Sequence, residues 1–265
     1  MRVFISADIE GTTLTTLWDE TEVGKGIYPP AAQQMTREVK AACEGAIAAG
    51  ADHILIKDAH DYAINLDVTQ LPECAEVIRG WTGSPLGMVD GVDETYDAAL
   101  FVGYHSAAGR CGNPLSHTFT TQTTDVLLNG KPCSEFVLYS YACTLKGVPT
   151  VLLTGDKMLT EDSRDLHPML HTVAVKDGFG GATRCINPAL ACRTIREMTE
   201  KALKQDLSKA GIQLPEHFTF EVSYKEHKLA VRRSFYPGFQ LVGDRTIRME
   251  TDDFMDVLRA VQFVL

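Results

Sequence analysis

Short apolar runs recur along the chain, and the residues at which they stop are chemically active. The first run, Val3-Phe4-Ile5, stops at Ser6-Ala7-Asp8-Ile9-Glu10-Gly11, and a second, Ile54-Leu55-Ile56, breaks into Lys57-Asp58-Ala59-His60. A third, Ala98 to Gly103, breaks into Tyr104-His105, and a fourth, Thr150 to Leu153, ends in Thr154-Gly155-Asp156. Such runs predict strands buried on both faces. Between the first two, Pro29 and Pro30 open a segment in which Met35, Val39, Ala42 and Ala46 recur at helical spacing until Gly50. Strand, helix and strand in that order form a βαβ unit, which joins parallel strands by a right-handed crossover.

The later pattern is more mixed. A short strand is predicted around Val77-Ile78, and Asn129-Gly130 between Asp125-Val126-Leu127-Leu128 and Lys131-Pro132 predicts a hairpin. Ser134 then has the character of a helix N-cap, with Glu135 as the first helical residue and Gly147 beyond the end. His171 to Val175 predicts a strand, and Asn187-Pro188 opens a helix with Leu190, Ile195, Met198 and Leu203 on its apolar side. After a polar linker at 211–215, Phe218 to Tyr224 and Thr246 to Met249 alternate as strands, and Asp252 caps a last helix carrying Phe254, Leu258, Val261 and Leu265. The expected fold is α/β: a three-layer α/β/α domain with a largely parallel sheet over 1–213, carrying the site, and a small α+β portion over 214–265 packed on it.

Composition narrows the partners. The 25 basic and 35 acidic residues give a net charge of -10, which repels phosphate backbones and anionic lipid, so neither nucleic acid nor membrane is expected. No run reaches the roughly 20 apolar residues of a membrane span, and the start lacks a secretory pattern. Seven cysteines without a C-x-x-C pair suit reduced thiols, so the expected location is the cytoplasm.

The chemistry lies at the strand ends. Asp8 and Glu10, two residues apart in extended backbone, point the same way, and their mutual repulsion calls for a hard cation or a shared proton. Of eight histidines, His53, His167, His171, His217 and His227 fall in structural or surface contexts. His60, His105 and His117 each follow an apolar run beside small or hydroxyl residues. Glu135, at a helix amino terminus, is held in its charged form by the helix dipole. Carboxylates mixed with imidazoles are the ligand chemistry of hydrolytic zinc sites, including paired ions about 3.5 to 4 Å apart that share a water.

These motifs resemble the zinc-dependent D-aminopeptidases of the DppA type. The family's S-x-D-x-E-G matches Ser6 to Gly11, its D-x-H matches Asp58-Ala59-His60, its G-Y-H matches Gly103-Tyr104-His105, its S-H matches Ser116-His117, and its helix-opening Glu matches Glu135. The resemblance implies two zinc ions per chain, with Asp8 bridging them, Glu10, His60, His105 and Glu135 completing the ligand set, and His117 as the catalytic residue that binds no metal. It further implies hydrolysis of the amino-terminal bond of short peptides, D-Ala-D-Ala-like ones among them, and a homo-oligomer, with a ring of ten chains as the family form. Residues 12 to 30 depart from the family pattern directly after the site, which bears on substrate preference.

Asp8-Ile9-Glu10-Gly11-Thr12-Thr13 also resembles the first motif of haloacid-dehalogenase-type phosphatases, in which Asp8 would be the nucleophile and Asp156, with Glu161 and Asp162, a magnesium site. Against this rival, the second core strand ends in Asp58-Ala59-His60 rather than in a hydroxyl residue, and that mechanism has no use for histidines. A metal-free module binding a small polar ligand at the strand ends is the third reading.

Overall fold

A computed structural model describes residues 1–166 and 168–265, so the expectation for His167 lies outside the described residues. The first half runs β1 (Arg2–Ala7), α1 (Tyr28–Ala48), β2 (His53–Asp58), β3 (Ala75–Ile78), β4 (Ala98–Tyr104), β5 (Thr123–Leu128), β6 (Lys131–Pro132) and α2 (Glu135–Leu145). The second half runs β7 (Thr150–Asp156), α3 (Lys157–Asp162), β8 (His171–Phe179), β9 (Ala182–Cys185), α4 (Pro188–Leu203), β10 (Phe218–Tyr224), α5 (His227–Arg233), β11 (Phe239–Leu241), β12 (Thr246–Thr251) and α6 (Phe254–Val264).

The apolar runs form a seven-stranded sheet in the order β3-β2-β1-β4-β7-β8-β9, parallel throughout except for the β8–β9 pair. Alternation divides each central strand between two cores. Val3, Ile5 and Ala7 of β1, with Ile54, Ile56, Leu100 and Val102, pack under Met35, Val39 and Ala42 of α1 and Ile195 of α4. Gly45 lets α1 and α4 approach closely, since a Cβ there would stand 2.3 Å from the Arg196 carbonyl oxygen. Phe4, Leu55, Phe101 and Leu153 face the other way, onto Phe136 and Tyr139 of α2 and, beyond them, Phe254 and Leu258 of α6.

A second, antiparallel sheet of five strands has the order β11-β12-β10-β5-β6. Here the topology differs from the division at 213. The strands of 218–251 pair through β10 with β5, from Phe220 opposite Leu128 to Val222 opposite Val126. The Asn129-Gly130 hairpin thus belongs to the sheet of the carboxyl-terminal portion, because its apolar side chains Val126 and Leu128 share a core with Phe220 and Val222.

Caps follow the sequence closely. Ser134 accepts from the Val137 amide and Asn187 from the Ala189 amide. The last helix differs by one residue. Asp253, not Asp252, caps α6 by accepting from the Met255 amide at 2.9 Å, while Asp252 pairs with His217 at 2.6 Å. Replacing Asp253 with Ala should therefore lower stability by about 1 kcal/mol, as loss of a capping oxygen does. Asp252→Ala should leave the denaturant midpoint in place, because an exposed ion pair contributes little. Urea unfolding of both variants checks the assignment.

Candidate metal centre

From β1 the chain steps through β2 to β3 on one side and then returns to place β4 on the other side of β1, so the winding reverses between β1 and β4. The crevice beyond the carboxyl ends of strands at such a reversal is where open α/β sheets bind ligands. Asp8 and Glu10 leave β1 there, His60 leaves β2 and His105 leaves β4. Glu135 enters as the first residue of α2, and His117 from the loop before β5.

All six side chains meet. Asp8 divides its oxygens, with Oδ1 3.4 Å from His60 Nδ1 and Oδ2 3.4 Å from His105 Nε2. Glu10 Oε2 lies 3.0 Å from the same His60 nitrogen. Glu135 places Oε2 3.3 Å from His105 Nε2 and Oε1 3.6 Å from His117 Nε2. The His105 and His117 rings stack with centroids 4.2 Å apart. Among the described residues, the groups close enough to share an ion are Asp8, Glu10 and His105, and His105, His117 and Glu135; no cysteine takes part.

Each imidazole turns its other nitrogen to a backbone carbonyl: His60 Nε2 to Thr21 at 2.8 Å, His105 Nδ1 to Ser106 at 3.0 Å, and His117 Nδ1 to Leu115 at 2.9 Å. A carbonyl only accepts, so those nitrogens carry a hydrogen and the opposite nitrogens face the carboxylates, where they can hold a proton or a metal ion. Outer-shell partners orient metal-binding histidines in this way. Meanwhile Asp8 Oδ2, Glu10 Oε2 and His105 Nε2 are buried without a hydrogen-bond partner. Buried polar atoms left unpaired are costly, and a divalent cation between these oxygen and nitrogen donors would satisfy them.

The electrostatics agree. Burial and the neighbouring Glu10 charge raise the Asp8 carboxyl well above its ordinary range. Burial also opposes ionisation of Glu10 and Glu135, but His60 facing the first and His105 facing the second hold both below the usual value. Burial lowers His60 and His105, yet Glu10 and Glu135 override it and bring His60 well up and His105 to about 10. Three buried carboxylates draw positive charge to this spot, and protons on imidazoles or a metal ion supply it. His117 is shifted down, by burial and by neighbouring His105, and stays neutral.

The surrounding loops are pinned. Gly11 donates its amide to the Gly103 carbonyl at 2.8 Å and fits only as glycine, since a Cβ would stand 1.7 Å from the Tyr104 carbonyl oxygen. Lys176 donates to the Glu10 and Thr15 carbonyls, and Asn113 Nδ2 to the Glu10 carbonyl at 2.9 Å. Asp58, a ligand-type residue in the pattern with His60, instead serves its own loop. It accepts from the Asn65 and Leu66 amides at 2.6 and 2.9 Å, and Asn65 Nδ2 in turn holds the His60 carbonyl at 2.7 Å.

The acidic group invoked for a phosphatase is likewise engaged elsewhere. Asp156 accepts from Ser106 and caps α3 through the Leu159 amide, Glu161 faces Lys157, and Asp162 pairs with Arg110. Of the remaining histidines, His53 lies by Glu76 and Tyr96, and His217 by Asp252.

Several contributors escaped the sequence analysis. Trp18 sets its edge against His117 at 5.2 Å, and the amide of Phe119, held at φ +59°, donates to Glu135 Oε1 at 2.7 Å. Lys176 had a signal, a lone cation following the apolar Val173-Ala174-Val175 strand, which water would not satisfy.

Comparison with known proteins gives the family. A protein named D-aminopeptidase from Bacillus subtilis (strain 168) is 29% identical over 265 residues, covering 98% of this chain and 95% of its own. A solved structure described as the Zn-dependent D-aminopeptidase DppA from Bacillus subtilis, a self-compartmentalizing protease, superposes with a TM-score of 0.92 at 27% identity, covering 100% of this chain and 96% of that one. The D-aminopeptidase family Peptidase_M55 matches residues 1–263, and this chain belongs to it.

Proposed function

We propose that the chain is a zinc aminopeptidase that removes the amino-terminal residue of short peptides, D-configured ones included, at a centre of two zinc ions. The observation that carries this reading is the Asp8 carboxylate, whose two oxygens face two separate imidazoles, His60 and His105. Asp8, Glu10, His60, His105 and Glu135 would hold the two ions. Zinc supplies Lewis acidity there, polarising a carbonyl and making water acidic enough to attack near neutral pH.

The chain's own groups do the rest. His117 keeps its hydrogen on Nδ1, toward Leu115, so Nε2 is free to take a proton and return it to the leaving amine. The stacked His105 ring and the Trp18 edge hold His117 in that orientation. A cavity of about 470 Å³ over these groups, walled by Trp18, Trp81, Met88 and Phe119, is of a size to take a short peptide. Asp8 as a phosphatase nucleophile is not supported, because its carboxylate faces two histidines and the magnesium-type acids serve the loops.

A homo-oligomer, a decamer if it follows the form the resemblance implies, rests on the self-compartmentalizing neighbour. A cytoplasmic location is supported by seven free cysteines. No helix among the described residues is long and apolar enough to cross a membrane.

Metal analysis should give close to two zinc ions per chain, and chelation should abolish D-Ala-D-Ala hydrolysis and lower the melting temperature, since a ligand bound only by the folded state stabilises it. A stoichiometry of one would remove the paired centre. His105→Ala should lose metal together with activity. His117→Ala should keep its zinc while kcat falls about 10²- to 10⁴-fold, the contribution of a positioned acid or base. Loss of zinc from His117→Ala would make His117 a ligand instead.

A further inference from the structure

The rim of the cavity differs in chemistry from its floor. Asp8, Glu10 and Glu135 on the floor are buried, whereas Trp18 and Trp81 at the rim are 36% and 43% exposed and stand with the exposed carboxylates Glu22 and Asp61. Among the described residues, no lysine or arginine lines the cavity. Two cations that touch lining residues are engaged: Lys25 pairs with Asp19 at 3.1 Å and Glu22 at 3.5 Å, and Lys57 donates to the Asp58 and Gly80 carbonyls while lying 4.1 Å over the Trp81 ring. Asp61 has no ion pair for its carboxylate among the described residues, and its backbone carbonyl accepts the Trp81 indole N–H at 2.6 Å, which fixes acid and ring side by side. The same cavity holds the buried, unpartnered Asp8 Oδ2 and Glu10 Oε2, so it is built to receive a ligand.

Resting on the peptidase reading, we infer that this rim is a specificity subsite for a cationic side chain, so that the preferred substrates are short peptides with a lysine-, ornithine- or arginine-like residue beside the scissile bond. An aromatic face next to an unpaired carboxylate recognises ammonium and guanidinium groups. The substrate's α-ammonium cannot be the group served, because it sits one carbon from the scissile carbonyl and stays at the floor. A basic side chain carries its charge several bonds further, to the rim. Metal ions on the floor would offset Asp8, Glu10 and Glu135, and Lys25 pairs with Glu22, which leaves Asp61 as the unpaired carboxylate of the wall.

The test compares kcat/KM for D-Lys-D-Ala and D-Ala-D-Lys with their norleucine counterparts, alongside equilibrium binding of lysinamide and norleucinamide to the zinc-loaded protein. The lysine substrate should be favoured roughly tenfold at one of the two positions, the size of a partly exposed cation–aromatic contact joined to an ion pair. Salt should reduce the preference, and Asp61→Asn, checked for unchanged thermal unfolding, should bring it to within about threefold of unity. Equal cleavage of lysine and norleucine peptides, or an undiminished preference in Asp61→Asn, overturns the inference while leaving the peptidase reading in place. No cleavage of any peptide and no binding of either amide overturns both.

Discussion

Three carboxylates buried within reach of one another set the terms for the whole molecule. Asp8, Glu10 and Glu135 would repel each other strongly in a medium this dry, and the two imidazoles between them, even protonated, supply two positive charges against three negative ones. Such a cluster persists only where the backbone over-determines it. The fold meets that demand by placing it at the sheet's winding reversal, where three adjacent parallel strands end together and a helix amino terminus arrives from the side.

What surrounds the cluster is therefore mostly scaffolding for loops. Lys176 and Asn113 grip the Glu10 carbonyl, Asp58 and Asn65 shape the turn that carries His60, and Asp156 ties the residue after His105 to α3. These side chains are buried and charged or amidic, yet they touch no reacting atom. A charge placed to satisfy orphaned carbonyls is as necessary to the geometry as a ligand, because sub-ångström looseness weakens both metal affinity and alignment.

Much of this was legible in the sequence because it is local. A strand that ends in Asp-x-Glu or Tyr-His states its own chemistry, and Pro29-Pro30, Ser134 and Asn187 announce their helices through backbone requirements that no distant residue can change. Contacts between distant segments were not legible. Whether Asp58 or His60 would face the cavity depended on how the 61–66 turn closed, and alternation offered both. The hairpin's membership of the second sheet depends on Val126 and Leu128 meeting Phe220 and Val222, nearly a hundred residues later. Trp18 and Trp81 meet the site from loops without periodicity, so nothing in their neighbourhoods marked them.

That late meeting has a temporal consequence. His117 and Glu135 flank the two strands that the carboxyl-terminal sheet completes, so two of the six site residues depend on strands formed much further along the sequence. A growing polypeptide holds Asp8, Glu10, His60 and His105 long before it can dock the hairpin that orders the other two. Assembly of all six groups therefore requires β10 to be made and paired with β5, which the amino-terminal strands alone cannot supply.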